Sequence, residues 1–156
     1  MSLEIEHKYL VRKDLWYAVN KPLGVNIRQG YLHTDPGKNI RIRTTGTDAF
    51  LTIKGPLANA TRAEYEYPIP PGEADELLQL CTAPVIEKVR YRIEYAGKTW
   101  EVDEFFGENE GLILAEIELT FAEEKYERPA WVGEEVTNDS RYYNATLALH
   151  PFSGWK

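Results

Sequence analysis

Apolar and polar residues alternate along most of the chain with a period of two, the spacing that puts successive side chains on opposite faces of a β-strand. Residues 3–11, LEIEHKYLV, set Leu3, Ile5, His7, Tyr9 and Val11 against Glu4, Glu6, Lys8 and Leu10. Strands are also predicted over 25–34, 39–45, 49–55 and 61–69, with Asp35-Pro36-Gly37 as turn chemistry and Pro68 ending its ladder. VIEKVRYRIEYA, the Ala96-Gly97 turn and TWEVDEFFG form a hairpin pattern, and LILAEIELTF, 112–121, reads as the last strand. Helical spacing is confined to short pieces. One is a turn near 14–19 capped by Asp14, and another is EADELLQLC, with Ala74, Leu77, Leu78 and Cys81 on one side. The tail carries a helix start at Gly133-Glu134-Glu135 and a second short helix near 139–149 with Asp139 or Ser140 as N-cap. About eight strands and three or four short helices result, with no linker or repeat, so residues 1–156 are expected to be a single domain.

Sorting these strands by parity concentrates the charge on one face. That face holds Glu4, Glu6, Lys8, Arg41, Arg43, Lys54, Glu64, Glu66, Lys88, Arg90, Arg92, Glu101, Asp103, Glu116 and Glu118. The other face is apolar, from Ile5 and Ile42 to Trp100, Val102 and Ile117. One solvated face is common in antiparallel sheets. Here, however, carboxylate pairs alternate with cation pairs strand by strand, whereas a wetted face ordinarily mixes Thr, Ser, Lys and Gln. Eight antiparallel strands of this pattern can instead close into a barrel, which removes the exposed edges and turns the charged face inward. The expected fold is therefore mainly β with α: a closed eight-stranded antiparallel barrel with short helices packed outside. Crowded ions cost several kcal/mol each when poorly compensated, on the order that burial of charge imposes. A ligand carrying both signs relieves that cost. A polyphosphate with a divalent metal fits, since guanidinium and ammonium groups take phosphate oxygens and carboxylates take Mg²⁺ or Mn²⁺.

Composition narrows the alternatives. The formal net charge of −7 disfavours nucleic acid and anionic membranes as partners. A single cysteine, Cys81, and three scattered histidines leave no disulfide pair and no Cys- or His-rich zinc pattern. Neither a signal-peptide core nor an apolar run of membrane-spanning length occurs, so a soluble cytoplasmic protein is expected. There is also no GxxxxGK[ST] phosphate loop.

The charged motifs taken in order resemble the CYTH superfamily, the triphosphate tunnel metalloenzymes. Glu4-Ile5-Glu6-His7-Lys8 matches its ExExK signature, followed by Arg41-Ile42-Arg43, Lys54, Glu64-Tyr65-Glu66, Lys88-Val89-Arg90, Val102-Asp103 and Ala115-Glu116-Ile117-Glu118. Gly133-Glu134-Glu135-Val136-Thr137 and Arg141-Tyr142-Tyr143-Asn144 resemble the tail of the short bacterial branch. The resemblance implies an eight-stranded tunnel, hydrolysis of inorganic triphosphate to diphosphate and phosphate, and a C-terminal helix, here 139–149, plugging one mouth. It implies Glu4, Glu6 and Glu118 as principal metal ligands, with Glu116, Asp103, Glu64 and Glu66 in support. Lys8, Arg41, Arg43, Lys54, Lys88 and Arg90 are implied to hold the phosphoryl groups. Lys88 with Tyr31, of Gln29-Gly30-Tyr31, resembles a water-activating dyad; a metal-bound water held by Glu116 or Glu118 does the same job.

Other residues and activities are weighed against these. His7 stands where relatives often have arginine, and its parity points it out of the lumen. Arg62 is divided between a terminal phosphate and an ion pair, and solvation is expected for Arg92 and Glu101. Trp16, Trp100, Trp131, Phe105 and Phe106 are expected in the core rather than stacked on a substrate. The remaining alternatives are a class IV-type adenylate cyclase, a thiamine triphosphatase and a non-catalytic polyphosphate- or nucleotide-binding module. The substrate is expected to be inorganic triphosphate or an organic triphosphate, and the protein a monomer or homodimer.

Overall fold

The computed structural model describes residues 2–155. In chain order the elements are β1 (Ser2–Val11), α1 (Lys13–Tyr17), β2 (Val25–Asp35), β3 (Lys38–Thr44), β4 (Ala49–Lys54), β5 (Thr61–Ile69), α2 (Pro71–Leu78), β6 (Ile86–Tyr95), β7 (Lys98–Phe105), β8 (Ile113–Glu118), β9 (Val132–Glu135) and α3 (Asn144–Leu149), with short 3₁₀ turns between some of them. All pairings are antiparallel, in the order β5-β4-β3-β2-β6-β7-β8-β1-β9, and β5 also pairs with β1. That last pairing closes eight strands into a barrel and leaves β9 as an addition.

β1 makes the closure possible because its two halves use different partners. Ser2–Ile5 pair with β5, while Glu6–Leu10 pair with β8. Where β5 leaves, β9 takes over at Tyr9 and Val11. Gly133-Glu134-Glu135, expected to start a helix, is therefore extended: an unpaired stretch of β1 offers it ladder bonds that a short tail helix does not replace. The hairpin signal at Ala96-Gly97 is realised as a two-residue turn with φ of 49° and 79°, the left-handed pair whose twist matches the flanking strands.

Other boundaries differ from the pattern. Pro68 does not end its ladder; it lies opposite Phe50, with Ile69 still paired to Ala49. β1 pairs with β5 only up to Glu64, so a proline further along can keep its missing N–H on an unpaired side. α2 begins at Pro71, in the first-turn position that proline suits, and stops before Cys81. Arg12, not Asp14, precedes α1, and Asp14 sits within its first turn. The tail helix expected over 139–149 is split: Ser140–Tyr142 form a 3₁₀ turn capped by the Asp139 side chain, and α3 starts after an extended Tyr143.

The apolar faces lie outside the barrel and are covered in patches. Tyr9, Trp16, Trp100, Trp131 and Ile117 pack in one cluster on the outer wall. α2 covers Ile42 and Ala49 with Ala74 and Leu78. Its last residue and the turn after it approach β2 so closely that a Cβ on Gly30 would stand 3.1 Å from the Leu78 Cδ2 and 2.7 Å from the Cys81 Sγ, which is why the residue between Gln29 and Tyr31 is glycine. The third cluster, with Tyr31, Ile86, Phe105 and Leu114, falls on the inward parity. Along β8 the inner positions run Glu118, Glu116, Leu114, and along β6 Arg90, Lys88, Ile86. The lumen is thus charged over most of its length and apolar at one end, where Leu147, Ala148 and Tyr142 pack on it.

Candidate functional site

A cavity of about 780 Å³ occupies the barrel interior, and every site residue expected from the sequence lines it except Asp103. The strand pleat is the cause: the i, i+2 pairs Glu4/Glu6, Arg41/Arg43, Glu64/Glu66, Lys88/Arg90 and Glu116/Glu118 all face inward. Ser140, Tyr143, Asn144 and Thr146 from the tail complete one side.

Most of the inward charges pair with an opposite one. Asp103 is 1% exposed and accepts from Arg90 through both oxygens, Nε to Oδ1 at 2.8 Å and Nη2 to Oδ2 at 2.9 Å, while the Lys88 Nζ lies 2.8 Å from Oδ2. Burial alone raises a carboxyl, yet the Arg90 and Lys88 charges hold Asp103 far below its ordinary range. Asp103, implied to be a supporting metal ligand, has both oxygens engaged by these two cations. Glu116 sits 3.5 Å from the Lys8 Nζ; despite its burial, Lys8 and Arg90 bring it down to about 2. Lys8 also donates to the Tyr142 carbonyl at 3.1 Å. Burial lowers Lys88 to about 8, with Asp103 opposing and Arg90 assisting.

Towards the other end the balance tips. Lys54 donates to both oxygens of Glu4, at 2.9 and 3.1 Å, and Arg62 stands 3.9 Å away. Burial pushes Glu4 up, but Lys54 brings it below its ordinary value. Glu64, 3.6 Å from the same lysine, is raised by burial and by the Glu4 charge. Glu6 and Glu118 face each other across the β1–β8 ladder, and among the described residues neither has a cation within 4 Å. Burial and the charges of Glu116 and Glu4 push Glu6 up to about 8, and Glu118 is raised by burial, Glu4 and Glu101. Two ionised carboxylates directly opposite destabilise a ladder, and a cation placed between them would relieve that repulsion.

The cationic deficit lies on β3. Arg41 is 7% exposed and its Nε has no partner among the described residues. Its only side-chain bond is a long one, from Nη2 to the Thr52 Oγ1 at 3.4 Å. Arg43, 3.7 Å from Glu66, is brought down to about 10 by burial and by the neighbouring Arg41 and Arg90. Two guanidiniums thus stand one pleat apart facing the cavity, one of them without a counter-ion among the described residues.

The pattern of a CYTH domain matches residues 2–149. The chain belongs to the CYTH family. The inorganic triphosphatase of Acetivibrio thermocellus is 48% identical to this CYTH chain over 157 residues, spanning 100% of this chain and 99% of that protein. The inorganic triphosphatase of Nitrosomonas europaea is 36% identical over 150 residues, 94% and 97% of the two. A crystal structure of an inorganic triphosphatase aligns with a TM-score of 0.66 at 35% identity, covering 96% of each chain.

Within this CYTH barrel the residues outside the charged set also find their places. His7 points outward and bonds the Tyr126 hydroxyl at 2.6 Å. Arg92 is 59% exposed at its side chain and pairs with Glu101 at 3.0 Å. Trp16, Trp100, Trp131 and Phe105 are core, and Phe106 is exposed. Two contributors escaped sequence reasoning. Gln29 is fully buried and donates to Asn144 at 3.1 Å and to the Tyr31 hydroxyl at 3.4 Å. Asn144 also accepts from Lys88 at 3.0 Å. Gln29 was within reach, since it shares inward parity with Tyr31 and lies opposite Arg43. Nothing in the periodicity of the tail says which way Asn144 turns.

Proposed function

We propose that this protein hydrolyses inorganic triphosphate to diphosphate and phosphate in a divalent-metal-dependent reaction inside the barrel. The observation that carries the reading is Arg41, a buried guanidinium facing the cavity with an unpartnered Nε. Together with Arg43, Lys54, Lys8 and Arg90, it offers a polyanion a run of donors along the tunnel. The two triphosphatase relatives, similar over nearly their whole length, support the same substrate. A purely anion-binding module has no use for Glu6 and Glu118, which repel a phosphate chain unless a cation stands between.

Mg²⁺ or Mn²⁺ fits the carboxylate end. Among the described residues no group of three or more acidic, histidine or cysteine side chains forms a ready-made metal cage. Magnesium does not require one, as it usually keeps several waters and shares one or two carboxylates with substrate phosphates. Glu6 and Glu118 would hold it, with Glu4 beside them. Bound there, the ion neutralises phosphate charge and supplies a water of lowered pKa. The chain's own part is positioning: Arg41 and Arg43 bind phosphoryl oxygens, and the Asp103 carboxylate orients Arg90 and Lys88. Lys88, brought down to about 8, can hold or release a proton near neutral pH, the range a general acid or base needs. Tyr31 accompanies it on the same wall.

The test is phosphate release from inorganic triphosphate, ATP and thiamine triphosphate side by side, with Mg²⁺, Mn²⁺ and chelator, while scoring cyclic AMP from ATP. Fast, chelator-sensitive turnover of inorganic triphosphate over the other two is the expected result. Cyclic AMP as the main product, or triphosphate retained without turnover, overturns it.

A further inference from the structure

Lys88 and Tyr31 line the same cavity, and two buried amides connect them. The chain of contacts runs Lys88 Nζ to Asn144 Oδ1 (3.0 Å), Gln29 Nε2 to the same Oδ1 (3.1 Å), and Gln29 Nε2 to the Tyr31 hydroxyl (3.4 Å). The geometry points to Asn144, held by Gln29, as a positioning residue that fixes the direction of the Lys88 amine into the tunnel. This inference rests on the triphosphatase reading and deepens it.

Three features separate this from ordinary helix packing. Asn144 is the first residue of α3, and asparagine near a helix start ordinarily spends its carbonyl on a nearby backbone N–H. Here Oδ1 accepts from Gln29 and Lys88, and α3 has no side-chain cap. Gln29 is 0% exposed and its Oε1 has no partner among the described residues. Burying an amide with an unmade acceptor is unfavourable, so its retained use is the donor end, which reaches Asn144 and Tyr31. Lastly, an ammonium has three N–H bonds. Asp103 and Asn144 engage Lys88 from two sides, and among the described residues no acceptor takes its third N–H, on a side chain that lines the cavity. Without Asn144 the amine keeps Asp103 alone and rotates about the Cδ–Cε bond, so the reactive direction is lost while the charge stays.

The test is steady-state hydrolysis of inorganic triphosphate with Mg²⁺ by full-length Asn144→Ala, Asn144→Asp and Gln29→Met, each with a melting curve. Asn144→Ala should lower kcat about tenfold, within the range a positioned proton-transfer group contributes, with KM changed less than twofold and melting temperature unmoved. Asn144→Asp keeps an oxygen at that place and should recover most of kcat. Gln29→Met keeps the shape without the donors and should lower kcat by a smaller factor. Unaltered kcat in Asn144→Ala overturns the assignment. So does a loss mirrored in KM or melting temperature, or one that Asn144→Asp leaves unrescued. Should Asn144→Ala fail to fold, unaltered kcat in Gln29→Met overturns it. An inactive wild type overturns the functional reading instead, and with it the basis of this one.

Discussion

Two stretches of the same tunnel wall, built from the same residue types, solve the problem of buried charge in opposite ways. Around Asp103 the account is closed: two cations share one carboxylate at hydrogen-bonding distance, and Lys8 and Glu116 pair beside them. Between Glu6, Glu118 and Arg41 it is open, with two carboxylates facing each other and a guanidinium lacking a counter-ion. Sequence parity treats both stretches alike. The difference teaches that inward charge alone does not mark a ligand contact. Charges paired with their neighbours hold one another in place, while Glu6, Glu118 and the Arg41 Nε have no such partner among the described residues.

Substitutions at the two places should therefore fail differently, and the largest effect belongs to the closed cluster. Asp103→Ala strands Arg90 and Lys88 in a buried setting, and breaking such a group costs about 3–5 kcal/mol. For a chain of this size that is a melting temperature lower by about 10 °C, measurable by calorimetry of the metal-free protein. A variant that melts with the wild type would erase the distinction between the stretches. Glu6→Gln comes next and should cost activity, not stability. It removes one of the two carboxylates proposed to hold the metal, a contribution on the order of several kcal/mol of charge stabilisation, so turnover of triphosphate should fall at least about 100-fold. Undiminished turnover would move the metal elsewhere. Arg41→Ala is milder: losing one charge-assisted contact to phosphate should lower kcat/KM about tenfold, mostly through KM, with no loss of melting temperature.

How much of this was legible in the sequence follows from the same physics. A period of two is imposed by the backbone, so Glu4-Ile5-Glu6-His7-Lys8 declared which residues face inward and His7 correctly fell outside. Barrel closure was legible as well, because carboxylate pairs alternate with cation pairs strand by strand where a solvated face ordinarily mixes Thr, Ser, Lys and Gln. Edges and ends were not. Gly133-Glu134-Glu135 has no strong local preference, and only the vacant edge of β1 makes it a strand. The shift from charged to apolar lumen at Ile86 and Leu114 uses the same parity as the charges and reads as site or core only once the tail is seen packing on it. Pairing distances and burial were beyond reach too: parity treats Asp103 and Glu118 alike, yet Asp103 is buried between two cations and Glu118 is exposed.

The gentlest way to separate the stretches is pH. Glu6 has its folded-state value raised from 4.5 to about 8 by burial and by Glu116 and Glu4. Between those values the folded protein keeps a proton that the unfolded chain releases, so this group makes stability fall as pH rises through the window. Asp103 and Glu116 act the other way: both are lowered in the folded state, so their contribution is present above the ordinary carboxylate values and is lost only in acid. Metal-free wild type should thus lose melting temperature between pH 5 and pH 8 relative to Glu6→Gln, by several degrees at the alkaline end. Adding Mg²⁺ should close the gap from the wild-type side, because a cation favours the ionised carboxylate. Parallel curves for the two proteins, with and without magnesium, would mean that Glu6 is already compensated and that the tunnel has no open end.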